Sequence, residues 1–210
     1  MAFDFKKEYR EFYMPSAKTS IVDVPPMNYL AVRGQGDPNA EDGEYKRSIE
    51  MLYSMAYTIK MSKKGDHRME GYFDFVVPPL EGFWWQGGIA GVDYARKQDF
   101  RFISCIRLPD FVTPEEFEWT REEATRKKRD DFSAVEFLAI TEGLCVQCMH
   151  IGPYDTEPTT VEAMHAFAQA QGYVSDITST RLHHEIYLSD ARKVAPEKLK
   201  TVVRHPIRKA

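Results

Sequence analysis

The chain has 210 residues and a formal net charge of −4, from 28 basic and 32 acidic side chains. At about 100–200 residues per domain, this length corresponds to one large domain or two small ones. Apolar residues make up 43% and charged residues 29%, which is typical of a globular protein and not of a disordered one. Proteins that bind nucleic acids usually present a basic surface, so the acidic balance argues against such a partner.

The sequence carries no membrane or secretory signal that we recognise. No stretch approaches about 18 uninterrupted apolar residues, and the first residues lack the apolar segment of a signal peptide. The three cysteines, Cys105, Cys145 and Cys148, are an odd number and do not make a disulfide framework. We therefore expect a cytoplasmic protein with no membrane partner.

The first half of the chain predicts one helix among several strands. Apolar side chains at helical spacing predict a helix over 44–61, and this helix is apolar over much of its circumference. Runs rich in aromatic and β-branched residues, bounded by Gly and Pro, predict strands at 27–33, 72–77, 83–85 and 100–108.

A second helix is predicted between the two halves. Thr113 is expected to cap it, Pro114 to take its first turn and Glu116 to close a capping box, with the helix running to about Lys128. The basic run at 126–129 then places cations at the negative end of the helix dipole. The alternative interpretation of this run is a patch that binds nucleic acid.

The second half repeats the order of elements in the first. Strands are predicted at 143–151, 181–188 and 201–205. A capping box at Thr159–Glu162 is expected to open a helix to about Ala170, which Gly172 ends.

Each half thus reads strand, glycine turn, helix, strand, strand, over about 27–107 and 143–206. The turn glycines Gly36 and Gly152 are 116 positions apart. A duplicated β-α-β-β unit predicts a pseudo-two-fold α+β fold with a cleft between its halves, and such interfaces are a usual place for ligand pockets.

Several familiar motifs are incomplete. Gly34-Gln35-Gly36 lacks the remaining glycine of a dinucleotide fingerprint. Cys145 and Cys148 have C-x-x-C spacing, but an offset of three on a strand directs their side chains to opposite faces. We therefore expect no metal site and no organic cofactor.

The predicted strand around Glu185 places unlike residues on its two faces. Alternation directs His183, Glu185 and Tyr187 to one face, and Ile186 and Leu188 to the other, which we expect to face the helices. A carboxylate among aromatic rings is desolvated, and this suits a general base or an anion that binds cations. The alternative is a glutamate paired with Arg181, four residues earlier on the same face.

Aromatic side chains supply further candidates. Adjacent residues of a strand point to opposite faces, so one of Trp84 and Trp85 can lie in the core while the other stacks on a ligand. Tyr154, in the turn after Gly152, is a third candidate. Plain packing in the core or against the sheet is the alternative for all three.

Five motifs, in order along the chain, together resemble the GyrI-like small-molecule-binding family, and more narrowly its stand-alone bacterial branch. They are LEGFWW (80–85), RLPDFV (107–112), HIGPYDTEPTT (150–160), HHEIYLSD (183–190) and LKTVVRHP (199–206). The resemblance implies two β-α-β-β modules of the SHS2 type around a ligand cleft. It divides a single domain over 1–210 into a module at about 20–110, a linking helix at about 113–130 and a module at about 140–207.

The resemblance also implies a role for one glutamate. In related effector-binding domains of multidrug-responsive regulators, a strand glutamate in an aromatic cleft engages cationic aromatic drugs, and Glu185 matches it by motif position. The chain lacks the DNA-binding domain of those regulators, so transcriptional control is not implied. The expected partner is an aromatic or cationic small molecule, and the sequence leaves a protein partner open.

Some stand-alone members similar to this chain are cyclopropanoid hydrolases, which open the strained ring of DNA-alkylating natural products. Trp84 or Trp85, with Tyr154 and His183, would then line the pocket, and Glu185 would activate the attacking water. Tyr187, or Tyr57, would stabilise the developing phenolate.

The alternative class is a binding protein that sequesters such ligands or senses them without changing them. A third interpretation, an inhibitor of a large partner such as gyrase, follows from the family name alone.

Overall fold

A computed structural model describes residues 2–89 and 92–210. Within them the strands are β1 Ser20–Val24, β2 Met27–Gln35, β3 Leu80–Trp85, β4 Arg101–Arg107, β5 Glu136–Ile140, β6 Gly143–Ile151, β7 Tyr173–Ser175, β8 His183–Tyr187 and β9 Lys200–Lys209. The helices are α1 Phe5–Glu8, α2 Arg10–Tyr13, α3 Glu44–Met61, α4 Pro114–Lys128 and α5 Glu157–Ala170. None of these helices combines the length and the apolar character needed to cross a membrane.

The strands form one antiparallel sheet with mirrored halves. Their order is β1-β6-β9-β8-β3-β4-β2-β5, and β7 adds to β9. The second half contributes β6, β9 and β8 on one side, and the first half contributes β3, β4 and β2 in matching order on the other. The predicted α+β fold with duplicated β-α-β-β units is confirmed, and β3 and β8 join the two units at the centre of the sheet.

Most predicted elements are present, and one predicted strand is wrong. The helices α3 and α4 agree with the predictions, and the side-chain oxygen of Thr113 accepts a hydrogen bond from the Glu116 backbone as expected. The Glu116 carboxylate contacts His67 instead of closing the capping box. Over 72–77 there is only an isolated bridge between Phe75 and Phe3.

The start of α5 also differs from the prediction. The helix begins at Glu157, with Pro158 in its first turn, and Thr156 caps it without a side-chain hydrogen bond. The predicted capping box at Thr159–Glu162 is therefore wrong, because those residues already lie inside the helix. The earlier start places Glu157 at the end of the helix that faces the centre of the sheet.

One face of the sheet carries the long helices, and the other carries the N-terminal segment. The helix α3 packs on β2 and β4, and Ser48 of α3 contacts Ser104 of β4 through their hydroxyls at 3.0 Å. The helix α5 packs on β6 and β7. On the opposite face, Tyr13 of α2 donates a hydrogen bond to Glu81 of β3 at 3.1 Å.

The two faces of β8 are reversed relative to the prediction. Ile186 is the register partner of Glu81, whose side chain points to the N-terminal segment. Glu185 and Tyr187 instead lie on the helix face, together with Glu157 of α5. Our expectation that Ile186 faces the helices is wrong, because core packing covers both faces of β8 and hydrophobicity alone does not distinguish them.

Candidate functional site

Glu185 lies at the centre of the sheet and is 6% exposed. Its Oε1 accepts a hydrogen bond from His183 Nε2 at 2.7 Å, and its Oε2 accepts one from the Tyr187 hydroxyl at 2.8 Å. The alternation of β8 places these three side chains on one face, as predicted. Two donors therefore hold the carboxylate in a fixed orientation.

Trp84 extends this arrangement from the neighbouring strand. Its Nε1 donates a hydrogen bond to the Tyr187 hydroxyl at 2.8 Å. Gly82, the register partner of Glu185, leaves the space that these side chains occupy. A Cβ atom at Gly82 would lie 2.6 Å from Trp84 Nε1 and 3.0 Å from the Tyr187 hydroxyl. The glycine is thus required for the close approach of the two rings.

A second buried carboxyl group, that of Glu157, faces the same site. Glu157 is fully buried at the start of α5, and its Oε2 accepts a hydrogen bond from the Tyr94 hydroxyl at 2.8 Å. The same hydroxyl lies 3.4 Å from Glu185 Oε1. Among the described residues no Lys or Arg nitrogen lies within 4 Å of either carboxylate, so the pair has no full positive charge to balance it.

The two carboxyl groups are driven to different protonation states. Burial raises the pKa of Glu157 well above its usual range, and the negative charge of Glu185 raises it further. Burial also opposes ionisation of Glu185, but the hydrogen bonds from His183 and Tyr187 bring its pKa below the ordinary value. The arrangement therefore pairs a neutral carboxylic acid with a carboxylate, which is how active sites separate an acid from a base.

Aromatic rings enclose the pair. The Tyr45 ring lies 5.1 Å from that of Trp84, and the Tyr154 ring lies 5.8 Å edge-on from that of Tyr187. Burial raises the pKa of Tyr154 to about 12, so its hydroxyl keeps its proton at neutral pH. The site therefore offers aromatic faces beside a carboxylate, a combination that suits a flat ligand or a cation.

Two predicted ligand-binding residues lie elsewhere. Trp85 points to the opposite face of the sheet, where it lines a cavity of about 360 Å³ with Leu182 and Pro206. Tyr57 is 52% exposed on α3, and its ring lies 6.4 Å from that of Tyr53. The structure thus brings Trp84, not Trp85, to Glu185, together with His183, Tyr187 and Tyr154 from the predicted set.

The alternative ion pair between Glu185 and Arg181 is wrong. Arg181 precedes β8, pairs with Asp176 and donates hydrogen bonds to the backbone oxygens of Glu142 and Leu144. Its position follows from the later start of β8, which excludes it from the strand alternation.

Three side chains could in principle share a metal ion. Glu157, His183 and Glu185 each offer a ligand atom, and these atoms lie within 4.8 Å of one another. However, His183 Nε2 and Glu185 Oε1 already share a hydrogen bond of 2.7 Å. A metal would have to replace that proton, so the donor set fits a hydrogen-bonded cluster better than a metal centre.

Sequence reasoning missed several residues of the site. The predicted capping box at Thr159–Glu162 places Glu157 before its helix, whereas its actual place in the first turn of α5 buries it. Tyr45 lies within the predicted helix over 44–61, whose apolar spacing also describes ordinary core. Tyr94 begins a short 3-10 helix, Tyr94–Asp99, that is kinked at Arg96, so no periodicity signals it.

A model of the GyrI-like small molecule binding domain matches residues 17–208. The chain belongs to this GyrI-like family. Its members are small-molecule-binding domains, so a small-molecule ligand is the function class that the family assigns. Among curated proteins, none matches this chain.

Solved structures agree with the GyrI-like assignment. A hydrolase from Listeria innocua is 48% identical, with a TM-score of 0.89 over 98% of this chain and 100% of its own. An uncharacterized conserved protein from Listeria innocua is 50% identical, with a TM-score of 0.92 over 98% and 100%. The EcmrR C-terminal domain is 12% identical, with a TM-score of 0.54 over 92% and 98%, and this shows a shared fold alone.

Proposed function

We propose that this GyrI-like chain binds flat aromatic molecules against Trp84 and hydrolyses cyclopropanoid electrophiles, which would serve detoxification. The observation that carries the proposal is the close approach of two buried carboxyl groups, Glu157 and Glu185, which both lie within reach of the Tyr94 hydroxyl among aromatic rings and whose pKa values are shifted in opposite directions. Such a pair supplies an acid and a base at one place without a cofactor. The 48% identity to a Listeria innocua hydrolase supports a hydrolytic activity.

In the proposed reaction, Glu185 takes a proton from water while the water oxygen attacks the cyclopropane carbon. The carbon–oxygen bond forms as the strained carbon–carbon bond breaks, and the released electron pair moves to the carbonyl oxygen of the substrate. Glu157 gives its proton to that oxygen, which becomes a phenol. Before the next turnover Glu185 must release the proton it took and Glu157 must take up another, so one water is consumed and both carboxyl groups regain their starting states.

The geometry changes the roles proposed for the tyrosines. Tyr187 already donates its hydroxyl proton to Glu185. It is therefore better suited to orienting that carboxylate than to stabilising a phenolate. Tyr57 is half-exposed on α3, which leaves Glu157 as the buried donor for the substrate oxygen.

A test incubates a small amount of protein with an excess of a cyclopropanoid and measures the water adduct by mass spectrometry. We expect product in large excess over protein. Glu185→Gln is expected to reduce kcat by about 10²–10⁴-fold, the usual contribution of a general base. Glu162→Gln, at an exposed position of α5, is the matched control and should retain full activity.

A non-catalytic binding protein is the second candidate, because two buried carboxyl groups with no Lys or Arg partner in the described part of the chain also suit a cationic ligand. This function predicts product that never exceeds the protein added. It also predicts that a flat aromatic cation quenches the fluorescence of Trp84, so the quenching should be lost in Trp84→Phe and retained in Trp85→Phe.

A further inference from the structure

Three histidines connect the buried Glu185 to the outside of the protein. His183 Nε2 donates to Glu185 Oε1 at 2.7 Å, and His183 Nδ1 lies 2.6 Å from His205 Nε2. His205 Nδ1 in turn lies 2.8 Å from His165 Nε2. His183 and His205 are almost fully buried, whereas His165 on α5 is only half-buried.

The chemistry of these rings suits proton transfer. Burial lowers the pKa of His205 well below its ordinary value and also lowers that of His165. Both rings are therefore neutral at neutral pH, and each has one nitrogen that carries a proton and one that accepts a proton. Both nitrogens of His205 face another imidazole, so this ring can accept a proton on one side and release one on the other.

We propose that His165, His205 and His183 form a proton relay that exchanges a proton between solvent and the Glu185–Glu157 pair. This inference rests on the proposed function, because it assigns a path for protons to the carboxyl groups that act in it. The relay histidines act through Glu185 and do not contact the ligand. A relay is useful here because a bound ligand would separate Glu185 and the reacting water from bulk solvent.

Each transfer is balanced. A solvent proton binds His165 Nδ1 as the proton of His165 Nε2 moves to His205 Nδ1. The proton of His205 Nε2 moves to His183 Nδ1, and that of His183 Nε2 moves to Glu185. One proton enters, one arrives at the carboxylate, and every ring ends with the number of protons with which it began. The reverse sequence releases a proton to solvent.

The first test does not depend on activity. In protein labelled with ¹⁵N-histidine, NMR measures the exchange of the His183 ring proton with deuterium in solvent. His165→Phe keeps a ring of similar size that cannot transfer protons, and we expect the exchange to slow about tenfold or more. The control His67→Phe, at a ring that stacks on Trp119 outside the relay, should leave the rate unchanged. An unchanged rate in His165→Phe would overturn the proposal.

The second test measures turnover and rescue. We expect His165→Ala to lower kcat about tenfold with KM unchanged, since the proton path is part of the acid–base step. Added imidazole should restore kcat in His165→Ala and have no effect on His165→Phe, where its place is filled. Loss of activity without rescue would indicate a merely structural histidine and contradict the relay. If the wild-type chain shows no turnover, the hydrolase function fails, and the exchange experiment alone decides on the relay.

Discussion

Each face of β8 buries a histidine beside two carboxyl groups, but the two faces differ in how far positive charges balance the negative ones. On the N-terminal face, His184 lies between Glu142 at 2.9 Å and Glu81 at 3.0 Å, and Arg204 contacts Glu142 at 2.7 Å. On the helix face, His183 stands beside two carboxyl groups without an Arg or Lys among the described residues. A buried charge is tolerated when it is paired. The balanced face is therefore suited to stability, and the unbalanced one to binding.

The opposite pKa shifts support this difference. Burial disfavours the charge of Glu142, yet His184 and Arg204 lower its pKa to about 2. Burial also disfavours a charge on His184, but the carboxylates raise its pKa above the ordinary value. These groups stabilise one another as ions. Within residues 2–89 and 92–210 Glu157 has no such partner, and its pKa rises instead.

The largest expected effect is on the balanced face. Arg204→Met removes the cation and leaves Glu142 buried, so the free energy of unfolding should fall by about 3–5 kcal/mol. Glu157→Gln on the helix face should leave stability unchanged or raise it, because no ion pair is lost. Denaturant unfolding measures both. Equal losses in the two variants would contradict the comparison of the faces.

The dependence of stability on pH should have opposite signs for the two faces. Because the pKa of Glu142 is lower in the folded protein, its ionisation stabilises the fold at pH values above its pKa in the unfolded chain. This contribution is lost as pH falls from about 4.5 to 2. At ~1.4 kcal/mol per pKa unit the loss is about 3 kcal/mol. The raised pKa of Glu157 has the opposite effect: as pH rises above the pKa of this group in the unfolded chain, ionisation favours the unfolded state and stability falls. Unfolding of Glu142→Gln should flatten the wild-type curve below about pH 4.5, and unfolding of Glu157→Gln should flatten it above that pH.

A smaller loss is expected from Gly82→Ala. The added Cβ would meet Trp84 Nε1 at 2.6 Å, so Trp84 and Tyr187 must shift, at a cost of about 1–3 kcal/mol. Ligand quenching of tryptophan fluorescence should weaken in the same variant. Gly87→Ala is the control, because no atom of the described residues lies within 4 Å of its added Cβ. Identical melting temperatures and affinities in the two variants would show that the close approach at Gly82 is unimportant.

The smallest effect is expected from chelation. Because hydrogen bonds from His183 and Tyr187 already hold both oxygens of the Glu185 carboxylate, treatment with EDTA should leave ligand affinity and turnover unchanged. A loss of activity that Zn²⁺ or Mn²⁺ restores would assign a metal ion to Glu157, His183 and Glu185. The hydrogen-bonded arrangement of these three residues would then be wrong.

Local patterns predicted most of the fold. The helix over 44–61 was evident from its apolar spacing, and the repeated order of elements indicated the two mirrored units. The edge strands β1 and β5 carry no strong local pattern, so the sequence does not predict them. They are strands because β1 pairs with β6 and β5 pairs with β2. The wrong strand at 72–77 shows the converse, since its aromatic residues pack without a partner strand.

The site was predictable only where strand alternation applied. Alternation grouped His183, Glu185 and Tyr187 correctly, and it separated Trp84 from Trp85 without showing which belonged to the site. Three further groups required tertiary structure: the start of α5 that buries Glu157, the short kinked helix that begins at Tyr94, and the pairing of β8 with β9 that aligns His183 with His205. Long-range contacts of this kind leave no periodic signal.

The pairing of β3 with β8 divides the site between the two halves of the chain. The first half supplies Trp84, Tyr45 and Tyr94, and the second supplies Glu157 and Glu185. Register partners Gly82 and Glu185 are far apart in sequence. Neither half alone therefore holds both the aromatic rings and the carboxyl pair. A ligand that contacts both halves would bind only when β3 and β8 are paired, so its binding would stabilise the paired state over any state in which the halves are folded but separated.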